Sequence, residues 1–174
     1  DGGRVRAIET CGTDVCLLFV GGRAEIHDLS AHGSPRPPRT LGEVSSAGFV
    51  AVGPPERPVR LCATLGAEPS RPTLRLHDYA AEDTEVADLR APGVVGMAPF
   101  HLATAGPRIC IIGSVFGTAV VFEAHGTPMG GGSPRVTLVA TVGGGGARGG
   151  GCTAALLTPT HLLLGHKDGK VLTC

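Results

Sequence analysis

Four times along this chain an apolar run meets a turn, and the four recur at nearly one spacing. They occupy residues 14–23 (DVCLLFVGGR), 59–67 (VRLCATLGA), 108–118 (RICIIGSVFGT) and 160–170 (THLLLGHKDGK). Stacked on the centre of each run, Cys16, Cys62, Cys110 and Leu162 lie 46, 48 and 52 residues apart. A second short strand follows each turn, and stacking these on His27, His77, Phe122 and Cys174 gives intervals of 50, 45 and 52. The turn is a third column. Gly22, Gly117 and Gly169 each stand five residues before the stacked position, where a tight hairpin wants a positive φ. The second unit departs from this pattern, with Glu68-Pro69-Ser70-Arg71-Pro72 in place of the tight turn.

A self-similar period constrains a fold more than composition does, because every copy must satisfy the same neighbours. Here the units are all-β. Glycine (28) and proline (14) make up 42 of 174 residues, both break helices, and no segment keeps apolar residues at helical spacing over three turns. A period of about 45–50 residues with four short strands is that of a β-propeller blade. The third unit reads as strands at 94–98, 109–114, 118–123 and 136–142, and the second as strands at 49–53, 59–65, 73–79 and 84–89. The expected organisation is a single propeller segment of about four blades, with approximate units 1–45, 46–91, 92–143 and 144–174. Four blades is about the lower limit for a closed ring. The fourth unit ends on its third strand unless N-terminal residues supply another, so a piece of a larger propeller is expected, with exposed blade faces at its ends.

Residues 113–123 (GSVFGTAVVFE) resemble the WD40 repeat core, in which a small residue, a loop with Asp-Gly and a strand ending in Trp-Asp follow one another. Residues 164–172 (LGHKDGKVL) are similar. On this resemblance His27-Asp28, His77-Asp78 and Phe122-Glu123 stand at the Trp-Asp position, with Gly117 and Gly169 as turn positions. The chain has no tryptophan, and no Gly-His pair stands ahead of each unit. The family's Asp-His-Ser/Thr-Trp hydrogen-bond network is therefore not carried over. The resemblance implies blades that share cores with their neighbours and loops, held by rigid sheets, that bind other proteins. The function it implies is a WD40-like scaffold, a subunit or adaptor of a multiprotein complex. A permanently packed subunit of a trafficking or tethering assembly is the alternative, and an extracellular ligand-binding propeller a more distant one.

Other classes find little support. With 15 basic and 15 acidic residues, the chain lacks the basic footprint of a nucleic-acid binder. No run of 18 apolar residues is present, so no membrane insertion is expected. The first residues, Asp1-Gly2-Gly3-Arg4, do not read as a signal peptide, and the start at Asp1 suggests a segment of a longer protein. Among the six cysteines, Cys11, Cys16, Cys62, Cys110, Cys152 and Cys174, no CxxC pair occurs. Reduced, buried thiols and a cytoplasmic location are expected.

No enzyme is expected, and no catalytic, cofactor-binding or metal-binding residue. The glycine run 143–151 leads into Cys152-Thr153 with no nearby lysine, unlike a phosphate loop. No Gly-x-Ser-x-Gly elbow occurs. The residues of each His-Asp pair point to opposite faces of a strand and cannot clamp one ion. Asp168-Gly169, flanked by Lys167 and Lys170, reads as a solvated hairpin tip.

Overall fold

The computed structural model describes residues 3–30, 37–56, 58–66, 73–78, 83–88, 99–113, 119–125, 135–142 and 152–174. These form fifteen strands in four antiparallel sheets. The first sheet holds β1 (Val5–Cys11), β2 (Asp14–Phe19), β3 (Ala24–Asp28) and β4 (Arg39–Leu41). The second holds β5 (Val44–Val52), β6 (Val59–Gly66), β7 (Thr73–Asp78) and β8 (Asp83–Asp88). The third holds β9 (Pro99–Ala105), β10 (Arg108–Gly113), β11 (Ala119–His125) and β12 (Arg135–Val142), and the fourth β13 (Cys152–Leu157), β14 (Leu162–His166) and β15 (Val171–Thr173). Within each sheet, strand order follows chain order. The division expected at 45/46 falls two residues into β5.

The sheets stack face to face in sequence, and alternation along each strand makes this possible. On β10, Ile109 and Ile111, with Phe122 of β11 beside them, face the second sheet and pack there with Leu61, Ala63, Leu74 and Leu76. Cys110 and Ile112 point the other way, into a cluster with Cys152, Leu157, Leu162 and Leu164. All four β10 residues are completely buried. A strand covered on both sides reads as an unbroken apolar run, which is why the second strand of each unit stood out. The first two sheets share a third cluster of Cys16, Leu18, Ala24 and Ile26 against Val44, Ala47, Phe49 and Cys62.

Adjacent sheets approach most closely along their first strands, β1, β5, β9 and β13. Small residues in β5 allow this. A Cβ on Gly48 would lie 2.9 Å from Thr104 Cγ2 and 3.0 Å from Leu102 Cδ2, and the Leu102 amide donates to Ser46 Oγ at 3.1 Å. Four meander sheets fanned about their first strands, each sharing a core with the next, are blades of a β-propeller. The arc has two uncovered end faces among the described residues. Ile8 on the first sheet is 61% exposed, and Leu156 and Val171 on the fourth are 58% and 67% exposed.

Among the described residues the first strand of the third sheet is β9, at Pro99–Ala105, and a strand's first residue tolerates proline; the strand expected at 94–98 lies outside the described residues. One expectation needs correction, the column Cys16, Cys62, Cys110 and Leu162. Cross-strand partners show that the residues opposite His27, His77 and Phe122 are Val15, Cys62 and Ile109. Leu162 and Cys174 exchange both backbone hydrogen bonds, at 2.9 and 2.8 Å. The matched second-strand positions are thus Val15, Cys62, Ile109 and Leu162. Cys16 and Cys110 sit one residue further on, which puts them on the opposite sheet face. Cys62 is not equivalent to them; it faces Cys16 across the first junction.

Candidate interaction face

The stacked third-strand residues share a side. Directly opposed residues of an antiparallel pair lie on one face, so His77 lies with Cys62 toward the first sheet, and Phe122 with Ile109 toward the second. Cys174 lies with Leu162 on the side facing the third sheet. His27 alternates with Ile26 and so falls on the uncovered face of the first sheet, half-buried, with Nε2 3.2 Å from Glu25 Oε2.

His77 is the most constrained of the four. It is buried, and its Nε2 shares a hydrogen bond with Thr64 Oγ1 on the adjacent strand at 2.9 Å. Burial, then the neighbouring charges of Arg39 and Arg75, lower its pKa to about 4. A neutral imidazole thus fills a place between sheets and is tied to a strand hydroxyl.

Asp28 Oδ1 accepts from the Ser30 amide at 2.9 Å and closes a local turn. The Asp78 carbonyl accepts from Arg39 Nη1 of the first sheet at 3.4 Å. Glu123 pairs through its backbone with Arg108 and Thr137. Gly117 lies outside the described residues. Gly22 and Gly169 are both left-handed, with φ of 78° and 80°, and they close the same turn. Gly22 N donates to Phe19 O and Gly169 N to His166 O, each at 3.0 Å. One residue on, Phe19 and His166 donate to the carbonyls of Arg23 and Lys170 at 2.8 and 2.9 Å. This is a three-residue hairpin loop with glycine at its left-handed position. At the second tip Lys170 Nζ lies 2.8 Å from Asp168 Oδ2, and the lysine holds the Asp168 carboxyl below its usual range.

Sequence reasoning missed a set of ties at one end of the sheets. Turns between first and second strands emerge there, including residues 12–13, 53–56, 106–107 and 158–161. The turns of the first, third and fourth sheets are gripped at or beside their ends by residues of a neighbouring sheet. Arg60 on the second sheet donates to Asp14 Oδ2 on the first at 3.2 Å, and Asp14 is buried. The Ala51 amide donates to Gly106 O of the third sheet at 3.0 Å. Arg108 Nη1 on the third sheet donates to Pro159 O of the fourth at 3.1 Å. The last turn is closed further by Thr158 Oγ1, which accepts from the His161 amide at 2.9 Å. Exposed between these anchors are Thr13, Pro54, Pro55, Glu56, Pro107, Pro159, Thr160 and His161. No local sequence signal marks Asp14, Arg60 or Arg108, because each tie joins residues about 50 positions apart.

Among the described residues, no group of three or more histidine, cysteine or acidic side chains could hold a metal ion, and no helix is long and apolar enough to cross a membrane.

No protein-family model and no curated protein matches the chain. Solved structures do. A chain from the crystal structure of a mitotic checkpoint complex is 11% identical, with a TM-score of 0.49 over 97% of this chain and 62% of its own length. BamB from Moraxella catarrhalis is 12% identical, with a TM-score of 0.31 over 95% of this chain and 70% of BamB. The chain therefore spans about three fifths of the checkpoint-complex chain. Strand order, stacking and register define the propeller architecture independently of these overlaps.

Proposed function

We propose that this propeller segment is a protein-interaction scaffold of WD40-like type, acting in the cytoplasm as a subunit or adaptor of a multiprotein complex and carrying out no chemistry of its own. One observation carries the reading. Three of the four turns at one end of the sheets, those of the first, third and fourth sheets, are held at or beside their ends by a neighbouring sheet, through Arg60–Asp14, Ala51–Gly106 and Arg108–Pro159. Held turns lose little conformational entropy on binding, and this preorganisation favours recognition of another protein. Exposed Thr13, Glu56, Thr160 and His161, interspersed with rigid prolines, offer hydrogen bonding and shape rather than a single sign of charge. That favours a protein surface over nucleic acid.

The test compares two variants by affinity capture at matched expression, each with an unchanged circular dichroism spectrum. One carries Thr13→Arg, Glu56→Arg and His161→Glu at the tied end. The other carries Lys167→Glu and Lys170→Glu at the opposite end. A stoichiometric protein partner retained by the second variant and lost by the first supports the reading. Loss only from the second, or recovery of nucleic acid in place of protein, overturns it.

A further inference from the structure

The four sheets share one irregularity. In each, the pairing of the first strand with the second slips by one residue near the start of the first strand: between Val5 and Ala7, Val44 and Ser46, Pro99 and His101, and Cys152 and Ala154. The extra residues are Arg6, Ser45, Phe100 and Thr153. A β-bulge takes one residue out of the ladder and re-aims its side chain. The first strands lie where neighbouring sheets come closest, so the four bulges stand round the fan axis. They lie at the end opposite the tied turns, because each first strand starts at one end and runs into its turn at the other.

Ser45 and Thr153 use their hydroxyls within their own sheets. Ser45 Oγ lies 3.2 Å from the carbonyl oxygens of Leu65 and Gly66, and Thr153 Oγ1 donates to Gly165 O at 3.3 Å. Arg6 behaves differently. It is exposed, and its Nη2 donates across the first junction to the carbonyl of Ser45, the bulge residue of the next sheet. The guanidinium therefore lies over the junction, away from the uncovered face of the first sheet. A guanidinium carries five N–H groups, and this bond uses one. The chain of contacts is directional: the Ser45 hydroxyl fixes its bulge, and the bulge carbonyl fixes the guanidinium.

Charge at this end is unbalanced. Arg4, Arg6, Lys167 and Lys170 are exposed there among the described residues, against the exposed acids Glu43 and Asp168. Asp168 is already engaged by Lys170 at 2.8 Å.

We propose that the bulged rim is a second interaction surface, with Arg6 as its anchor, and that it takes an acidic segment of a protein partner. A carboxylate of that segment pairs with the fork of N–H groups that Arg6 presents to solvent. The Ser45 carbonyl holds the guanidinium in place beforehand, so little side-chain freedom is lost on binding. A few basic groups in a chain of 15 basic and 15 acidic residues suit a short acidic segment and not the continuous track that a polynucleotide requires.

The whole chain is screened against a display library of random short peptides, and the best binder is labelled for fluorescence anisotropy. The expected result is enrichment of acidic peptides whose affinity falls as salt is raised. Arg6→Gln leaves a donor for the Ser45 carbonyl but removes the charge, and should weaken binding by about tenfold or more at an unchanged circular dichroism spectrum. Arg6→Lys, which keeps the charge without the fork, should lose less. Thr13→Arg/Glu56→Arg/His161→Glu at the tied end should bind the peptide as wild type does, so failure of this surface and failure of the tied-end scaffold reading are told apart. No enrichment, enriched peptides without acidic residues, affinity indifferent to salt or to Arg6→Gln, loss of binding in the tied-end variant, or equal binding of a single-stranded oligonucleotide would each overturn the proposal.

Discussion

Thr64 Oγ1 and His77 Nε2 lie 2.9 Å apart on neighbouring strands of the second sheet, both buried against the first. The pair places the imidazole, neutral, where its strand faces the neighbouring blade.

His77 ties stability to pH. Its pKa is lowered from 6.5 to about 4 in the fold, first by burial and then by Arg39 and Arg75. The unfolded chain therefore binds a proton more readily between these values. Stability from this group is fully present above about pH 6.5 and is lost as pH falls toward 4. The loss is at most about 3 kcal/mol. Urea denaturation of wild type and His77→Gln at pH 7.5 and 4.5 should show a smaller drop for the variant, and equal drops would exclude His77 as the source.

Gly48→Ala should destabilise by about 1–3 kcal/mol, because the new methyl meets Thr104 Cγ2 at 2.9 Å and Leu102 Cδ2 at 3.0 Å in the closest inter-sheet approach. Thr104→Ser removes that Cγ2 and should recover part of the loss. A double-mutant cycle in urea measures the coupling; strict additivity would mean that the two sites do not touch.

Gly12→Ala separates strain from crowding. Gly12 has φ +62, and its Cβ would approach Arg60 Nη1 at 2.9 Å. The guanidinium is the movable end of a long side chain, so backbone strain dominates, at about 1–2 kcal/mol. The same penalty should persist in an Arg60→Ala background, with coupling below about 0.5 kcal/mol. If Arg60→Ala abolishes the penalty, crowding was the cause.

Gly169→Val should lower Tm by several degrees, since a β-branched residue at φ +80 is strained by about 1–3 kcal/mol. Gly42→Val is the matched control: space is open at both positions, and Gly42 has no positive φ. Equal melting temperatures for the two variants would contradict the shared hairpin turn of Gly22 and Gly169.

The sequence by itself determined the period and the strand class. Apolar runs such as Ile109-Cys110-Ile111-Ile112 were legible because a strand buried on both faces needs apolar residues without interruption, and that demand is local. Gly22 and Gly169 were legible for the same reason, since a left-handed turn position depends on its own residue. Which face each side chain takes was not legible. Stacking the second strands on run centres set Cys62 beside Cys16 and Cys110, when a one-residue offset places it on the other side of its sheet. Apolar residues fill both faces of such a strand, so hydrophobicity carries no phase, and only hydrogen-bond register assigns it. The inter-sheet relationships, Arg60 on Asp14, Arg108 on Pro159 and Cys16 on Cys62, were decided by tertiary structure alone. They join residues about 50 positions apart, and nothing local distinguishes an arginine at a strand start that reaches a neighbouring blade from one that faces water.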